Sequence, residues 1–149
     1  MSNVLQQPIA VQPGSGRLLK NLGVIHKLTS HQTGGAYYLC EAVFGPERGS
    51  PMHIHHYEDE VITVLEGALD VRLDRETIHV SVGGTVHLPK TFPHALQNPL
   101  KTPMKLLVYA IPGGLDGYFD EVDAALESGS FDQETHARIS AKYGLEWLE

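Results

Sequence analysis

The sequence predicts an all-β domain, either a sandwich or a barrel, followed by two helices. Between residues 17 and 112, short runs rich in β-branched and other apolar residues alternate with turn residues every ~8–12 positions. After residue 112 the apolar residues change to a near-helical spacing. Because 149 residues suit one domain, we expect an arm at 1–16, a β-barrel at 17–112 and a helical segment at 113–149 within a single domain.

The first third of the chain is predicted to contain an arm, strands and a loop. Residues 1–16 are polar and rich in proline and glycine, which predicts an extended arm. Residues 17–30 and 35–44 alternate loosely and are rich in Leu, Val, Tyr and Ile, as strands are, with a Gly-Gly turn between them. Further glycines and prolines predict a loop over residues 45–51.

The middle of the chain is predicted as a series of short strands. Residues 69–73 alternate apolar and charged side chains, the pattern of a strand with one buried face. Glycines and a short polar run predict the turns between the strands. The predicted strands cover residues 61–65, 69–73, 77–82, 85–88 and 105–111.

Two helices are predicted after the strands. Apolar residues at near-helical spacing predict the first over 115–127. The second is predicted over 131–143, with Ser130 as its N-cap and Gly144 at its end. Residues 113–149 carry nine acids and two bases, and therefore all of the net charge of −7. We interpret these acids as solvated helical faces.

The composition excludes several classes of partner. The chain lacks the basic cluster that nucleic-acid binding requires, so no nucleic-acid partner is expected. No apolar stretch approaches ~18 residues and no signal-peptide pattern begins the chain, which predicts no membrane span and a cytoplasmic location. The one cysteine, Cys40, cannot form an intrachain disulfide and is expected to be a buried thiol.

The most informative segment is the histidine- and acid-rich run from His53 to Glu60. Residues two apart in a strand share a face, so His53 and His55 point the same way. If the next strand lies beside this one, Glu60 meets the two imidazoles, and such a set leaves open positions on a divalent ion. His94, in a predicted turn after two prolines, is a fourth candidate ligand. The alternative is a group of surface histidines beside an acidic loop.

These residues stand in a pattern that resembles the two cupin motifs. In the first motif, His-x-His is followed after four residues by Glu and after six more by Gly. His53, His55, Glu60 and Gly67 match these spacings. Gly49 stands four residues before His53, whereas the family glycine usually stands six before.

The second cupin motif runs from Gly through Pro-x-Gly and His to Asn. Gly83, Pro89, His94 and Asn98 match it, but Thr91 replaces its central glycine, so a less tight turn is expected there. Together the two motifs extend the resemblance over about residues 35–112.

The resemblance implies a fold, a metal site and an assembly. The fold would be a cupin-type barrel, also called a double-stranded β-helix or jelly roll, with C-terminal α-helices. By position, His53, His55, Glu60 and His94 would hold one divalent metal ion, either Fe, Mn, Ni, Co or Zn. Small cupins commonly dimerise, so a homodimer is expected, in which the arm at 1–16 could exchange between subunits.

A closer resemblance is to small cupins of the quercetin dioxygenase-like group. It is carried by residues 52–60, 64–67, 112–119 and 141–145. It implies a dioxygenase acting on a small enolisable or aromatic, flavonol-like substrate, with Glu60 as a catalytic base that takes the substrate proton. The alternatives are another metal-dependent cupin enzyme (a lyase, isomerase or decarboxylase) and a non-enzymatic cupin that binds a small molecule, since a fold does not fix a reaction.

Other residues are expected near the site. His87 is expected either to line the cavity or to pack in the core, and Tyr57 to lie within reach of the site. His56 is expected at the surface, and Asn98 in a turn or strand pair. Barrel positions, some of them lining the pocket, are expected for Tyr38, Phe44, Met52, Phe92, Leu96 and Tyr109.

Overall fold

The computed structural model describes residues 6–149, which form eleven strands and two helices. The part of the predicted arm at residues 1–5 lies outside the described residues. In chain order the elements are β1 Arg17–Leu19, β2 Val24–Leu28, β3 Tyr38–Phe44, β4 Gly49–His55, β5 Asp59–Glu66, β6 Ala68–Arg72, β7 Thr77–Ser81, β8 Thr85–Leu88, β9 His94–Gln97, β10 Met104–Ile111, α1 Leu115–Ser128, α2 Gln133–Lys142 and β11 Leu145–Trp147.

The strands form two antiparallel sheets that share one apolar core. One sheet has the order β1-β2-β3-β10-β5-β8 and the other has the order β11-β4-β9-β6-β7. Ile62 and Leu106 of the first sheet and Leu69 and Val71 of the second are all fully buried in one cluster. The predicted all-β, cupin-type barrel with C-terminal helices is confirmed.

The strand predictions are wrong at two places that matter for the site. Gly49 was expected in a loop but begins β4, where it pairs with β9 so closely that a Cβ would collide with the Leu96 carbonyl oxygen. His94 was expected in a turn but is the first residue of β9. The turn that the prolines indicate ends one residue earlier, so His94 is held by strand pairing.

The C-terminal segment differs from prediction in its cap and in its last element. The N-cap of α2 is Asp132, whose side chain accepts a hydrogen bond from the Thr135 N–H at 2.7 Å, rather than Ser130. Asp caps a helix as well as Ser does, and the helix begins two residues later than expected. The segment then ends in β11, which was not predicted because three residues carry no measurable period. Neither helix of residues 6–149 is long and apolar enough to span a membrane.

Acidic residues of α1 attach the helix to the barrel. Four acids at i, i+4, i+7 and i+11 form one stripe along α1, and each contacts a residue in or beside β1 and β2. The contacts are Asp116 with Ser30, Asp120 with Arg17 and His26, Asp123 with Asn21, and Glu127 with Lys20 and Asn21. The expectation of a purely solvated face is therefore wrong for this stripe, which fixes α1 across one end of the barrel.

The turn before His94 has the backbone of a glycine turn although Thr91 occupies it. Thr91 has φ 70°, in the left-handed region that β-branched residues rarely adopt. Its N–H donates to the His55 carbonyl at 2.8 Å, which ties the turn to β4. The expectation of a less tight turn is wrong: the turn keeps its geometry and Thr91 carries the strain.

Replacing Thr91 with glycine should therefore stabilise the protein. Occupying the left-handed region costs a non-glycine residue about 1–2 kcal/mol, of which glycine would lose about 0.5–1 kcal/mol again through its larger chain entropy. We expect Thr91→Gly to raise the melting temperature by roughly 1–4 °C, measured by calorimetry. Lys90→Gly, at the preceding exposed position, is the matched control and should lower it. A lower melting temperature for Thr91→Gly would contradict the strain.

Candidate metal centre

Four polar side chains converge inside the barrel from both sheets. Strand pairing places His53 of β4 directly opposite His94 of β9, and His55 follows two residues later on the same face. Glu60 comes from β5 of the other sheet. All four side chains are buried, and their ligand atoms lie within 4.8 Å of one another. The structure thus brings together all four residues that the sequence predicts for a metal site.

Each imidazole of the cluster is oriented by an acceptor on its outer nitrogen. His53 Nδ1 lies 2.7 Å from the Pro51 carbonyl oxygen, and His94 Nδ1 lies 3.2 Å from the Phe92 carbonyl oxygen. Such acceptors hold the proton of a neutral imidazole on Nδ1. The Nε2 lone pairs of His53 and His94 are therefore directed at the centre of the cluster.

The third imidazole is oriented by a carboxylate that the sequence analysis did not identify. His55 Nδ1 lies 2.7 Å from Glu58 Oε1, and Glu58 is only 4% exposed. A carboxylate behind a metal-binding imidazole fixes its tautomer and raises its basicity. The sequence does show an acid three residues after His55. The direction of its side chain, however, depends on the turn between β4 and β5, so the spacing alone does not place it behind the imidazole.

The distances inside the cluster fit one ion. Two nitrogen or oxygen ligands of one ion, each ~2.0–2.2 Å from it, stand ~3–4.4 Å apart. His53 Nε2 lies 3.1 Å from His55 Nε2, and Glu60 Oε2 lies 3.4 Å and 3.3 Å from the Nε2 atoms of His55 and His94. Among the described residues, Glu60 Oε2 and His94 Nε2 are buried without a hydrogen-bond partner. A cation at the centre would satisfy both atoms, so the donor set fits a divalent metal.

The electrostatics keep the cluster ready to bind a cation. Burial, together with the neighbouring His55 and His94, lowers the pKa of His53 to about 4, so this imidazole is neutral near pH 7. Burial raises the pKa of Glu60, but the three imidazoles outweigh it and bring that pKa to about 2. Burial lowers the pKa of His55, but Glu60 and Glu58 raise it by more. A proton and a metal ion therefore compete for His55.

The other residues expected near the site lie elsewhere. His87 is exposed on β8, so both of its expected positions are wrong. Tyr57 is 57% exposed and packs over Gly144 rather than toward the cluster. His56 faces the surface as expected and pairs with Glu146 at 2.7 Å. Asn98 is fully buried and donates to the Gly45 and Thr102 carbonyls, which is the turn role expected for it.

A cavity of about 220 Å³ opens beside the cluster. His53, His55 and Glu60 form part of its wall, and most of the remainder is apolar. Residues of both sheets, of α1 and of β11 complete it: Leu22, Val24, Cys40, Ala42, Phe44, Ser50, Ile62, Leu96, Val108, Leu115, Tyr118, Phe119, Val122, Leu145 and Trp147. A polar cluster in an apolar cavity is the usual form of a small-molecule site.

Only some of the residues expected to line the pocket do so in the structure. Phe44 and Leu96 line the cavity. Tyr38 and Met52 are buried outside the lining set, Tyr109 packs against Tyr37 on the outer face, and Phe92 is 48% exposed. Cys40 is buried as expected and also lines the cavity, with a pKa that burial raises to about 12. The contribution of α1 was missed, although its helical period was recognised.

The single tryptophan of the chain lies against the cluster. The ring centroids of Trp147 and His53 are 4.9 Å apart, because β11 pairs Trp147 with His53. The Trp147 Nε1–H donates to Ser140 Oγ at 3.0 Å, which fixes the indole between α2 and the cavity. Its fluorescence is therefore a local reporter of the site.

Comparison with known proteins agrees with the fold. Residues 41–110 match the family model described as the cupin domain. An uncharacterized protein of Methanocaldococcus jannaschii is 31% identical over 74 residues, which cover 50% of this chain and 59% of that protein. The match thus spans less than two thirds of the relative's length.

Solved structures show the same fold at low sequence identity. An uncharacterized conserved protein with a double-stranded β-helix domain from Klebsiella pneumoniae has a TM-score of 0.55 and 16% identity, over 70% of this chain and 84% of that chain. KdgF from a Halomonas species has a TM-score of 0.53 and 20% identity, over 63% of this chain and 84% of that chain. These likenesses concern the fold alone.

Metal binding should be visible in the fluorescence of Trp147 and in thermal stability. Adding Ni²⁺ or Co²⁺ to metal-free protein should quench the emission, because these ions would bind next to the His53 ring. At 100 times the dissociation constant, binding adds about 2.7 kcal/mol to the free energy of unfolding, or roughly 5–10 °C in melting temperature. A chelator should reverse both effects.

Three variants sharpen this test. His94→Ala should abolish the quenching and the metal-dependent melting shift. Glu58→Gln keeps an acceptor for His55 but loses the charge, and should weaken metal affinity by about 10–100-fold. Glu66→Gln, at an exposed position on β5, should leave it unchanged. Equal affinity in Glu58→Gln and Glu66→Gln would show that Glu58 does not support the site.

Proposed function

We infer that this chain is a member of the cupin superfamily, and we propose that it is a metal-dependent dioxygenase that acts on a small enolisable or aromatic substrate. The observation that carries the proposal is the buried set of His53, His55, Glu60 and His94 at the wall of an apolar cavity. Fe, Mn, Ni, Co or Zn would suit three imidazoles and a carboxylate. When bound, such an ion would act as a Lewis acid that stabilises the anion of the substrate.

Glu60 is the residue to which we assign the base. It is the only carboxylate among the described residues that line the cavity, and its Oε2 has no hydrogen-bond partner. A substrate hydroxyl in the cavity could therefore deliver its proton to this carboxylate, either while Glu60 binds the metal or after it swings off the metal. The pKa of Glu60, about 2, keeps the carboxylate ionised at neutral pH. The apolar walls exclude water from the anion that results.

The lining of the cavity bears on the alternative enzyme classes. A lyase or isomerase needs a second acid or base besides Glu60. His87 and Tyr57, the candidates from the sequence, are exposed and lie outside the lining set. Cys40 and Tyr118 also line the cavity, but burial holds their protons in place by raising each pKa to about 12. This favours oxygenation over those classes, and a non-enzymatic binding cupin is the second candidate.

Replacing Glu60 with glutamine separates its two proposed roles. Glutamine keeps the size and one oxygen atom for the metal but cannot accept a proton. We expect Glu60→Gln to lose about 10²–10⁴-fold in turnover per bound metal. The measurement is oxygen consumption with enolisable aromatic substrates, corrected for metal content and compared with the exposed control Glu66→Gln.

Two outcomes would contradict this assignment. Turnover per metal equal to that of the unsubstituted protein would make Glu60 a ligand and not a base. No oxygen consumption with Fe, Mn, Co or Ni loaded, across enolisable ketones, catechols and flavonols, would overturn the oxygenase and leave the binding cupin.

We propose further that the protein is a homodimer, in which the outer face of the six-stranded sheet meets a second copy. Val43, Leu65 and Ile111 are 37–43% exposed on this face. In its middle, Glu41 is 8% exposed between Lys27 and Lys105, at 3.8 Å and 3.5 Å. A face that carries apolar residues and charges of both signs can pair with itself about a two-fold axis.

Light scattering tests the homodimer. We expect a dimer mass for the unsubstituted protein and a monomer mass for Val43→Glu, which places a charge in the apolar face. Val82→Glu, at a residue that is 60% exposed in the turn after β7, should stay dimeric. A monomer mass at every concentration of the unsubstituted protein would refute the proposal.

A further inference from the structure

The cavity limits the size of a molecule that can reach the cluster. An apolar cavity of ~150 Å³ holds one benzene molecule, and pockets for drug-sized ligands begin at ~300 Å³. The cavity here has about 220 Å³. The cavity therefore accepts one ring with a few substituents. A molecule of two fused rings that carries a third ring is too large for it.

The polarity of the walls limits the chemistry of that molecule. The carboxylate and imidazoles belong to the cluster, and no Lys or Arg is among the described residues that line the cavity. A phosphate or a second carboxylate on the ligand would find no cation there. The Tyr118 hydroxyl lies 2.8 Å from His136 Nε2, so it bonds to α2 while its ring faces the cavity. The oxygen atoms of the ligand would thus lie at the cluster, with the remainder of the ligand apolar.

Helix α1 forms one wall of the cavity. Leu115, Tyr118, Phe119 and Val122 line the cavity from one face of α1, and the acidic stripe of the same helix fixes it to β1 and β2. Phe119 is half-buried, and its ring packs against Tyr118 and Tyr38 at centroid distances of 5.5 Å and 6.2 Å. This wall can move away from the cavity only if these contacts break.

We propose that the ligand of this site is a monocyclic molecule whose oxygen atoms lie at one end, such as a hydroxyketone, and that Phe119 excludes larger ligands with the same oxygen atoms. The inference rests on the proposed function, since it takes the four-residue cluster as the end that receives the oxygen atoms. It narrows that function, because a three-ring flavonol is then excluded as a substrate.

Two compounds with the same oxygen-bearing ring test this size limit. A 2-methyl-3-hydroxy-4-pyranone is one ring, and 3-hydroxyflavone adds a fused ring and a phenyl group. Calorimetric titration of Zn²⁺-loaded protein measures binding without turnover. We expect the pyranone to bind at least about 10-fold more tightly than the flavonol.

Variants of α1 test the role of Phe119. Phe119→Ala should improve flavonol affinity at least about 10-fold and change pyranone affinity much less. Phe119→Leu retains more packing and should give a smaller gain in the same direction, in case the alanine variant does not fold. Leu126→Ala, which is 36% exposed on the same helix and outside the cavity, should bind both compounds as the unsubstituted protein does.

The outcomes separate the size limit from the oxygenase proposal. Flavonol binding as tight as pyranone binding, or no gain in either Phe119 variant, overturns the size limit. Oxygen consumption with the flavonol alone overturns it too, while supporting the oxygenase. Pyranone binding, together with no oxygen consumption across enolisable ketones, catechols and flavonols whatever metal is loaded, keeps the size limit and overturns the oxygenase. Binding of neither compound overturns the cluster as the oxygen-binding end.

Discussion

The pairing of β4 with β9, which places His53 opposite His94, is the constraint on which the site depends. It puts two imidazoles side by side, and the two-residue period of β4 adds His55. The opposite sheet then needs to supply only Glu60. Because carbonyl oxygens and Glu58 hold the outer nitrogens, three lone pairs meet one carboxylate in an apolar barrel. Such a concentration of acceptors is stabilised by a cation and by little else.

The barrel and the residues of the cluster were predicted from different features of the sequence. The strand period alone puts His53 and His55 on one face, whereas Glu60 and His94 depend on strand neighbours and were reached through the spacing of the cupin motifs. Glu58 was missed because its direction is set by the turn that contains it. His87 was misplaced because one exposed face of a four-residue strand has no clear signature.

The cavity was the least predictable part, because it is made by elements distant in sequence. The helical period of α1 was visible, but which side of that helix faces the barrel depends on the acids that bind β1 and β2. These acids were interpreted as solvated, since charge patterning does not reveal a hydrogen-bond partner 86–106 residues away. Core and pocket could not be separated, because Phe44 and Tyr38 lie on one face of one strand and differ only in what packs above them.

The position of β11 has a consequence for the order in which the chain is made. This strand covers the free edge of β4 and seats Trp147 on His53. Synthesis proceeds at roughly 5–20 residues per second, so β4 leaves the ribosome several seconds before the strand that covers it. During that interval the nascent barrel exposes an unpaired edge beside the histidines, which is a hazard for association between growing chains. Chaperone protection of the emerging chain would matter most in this window.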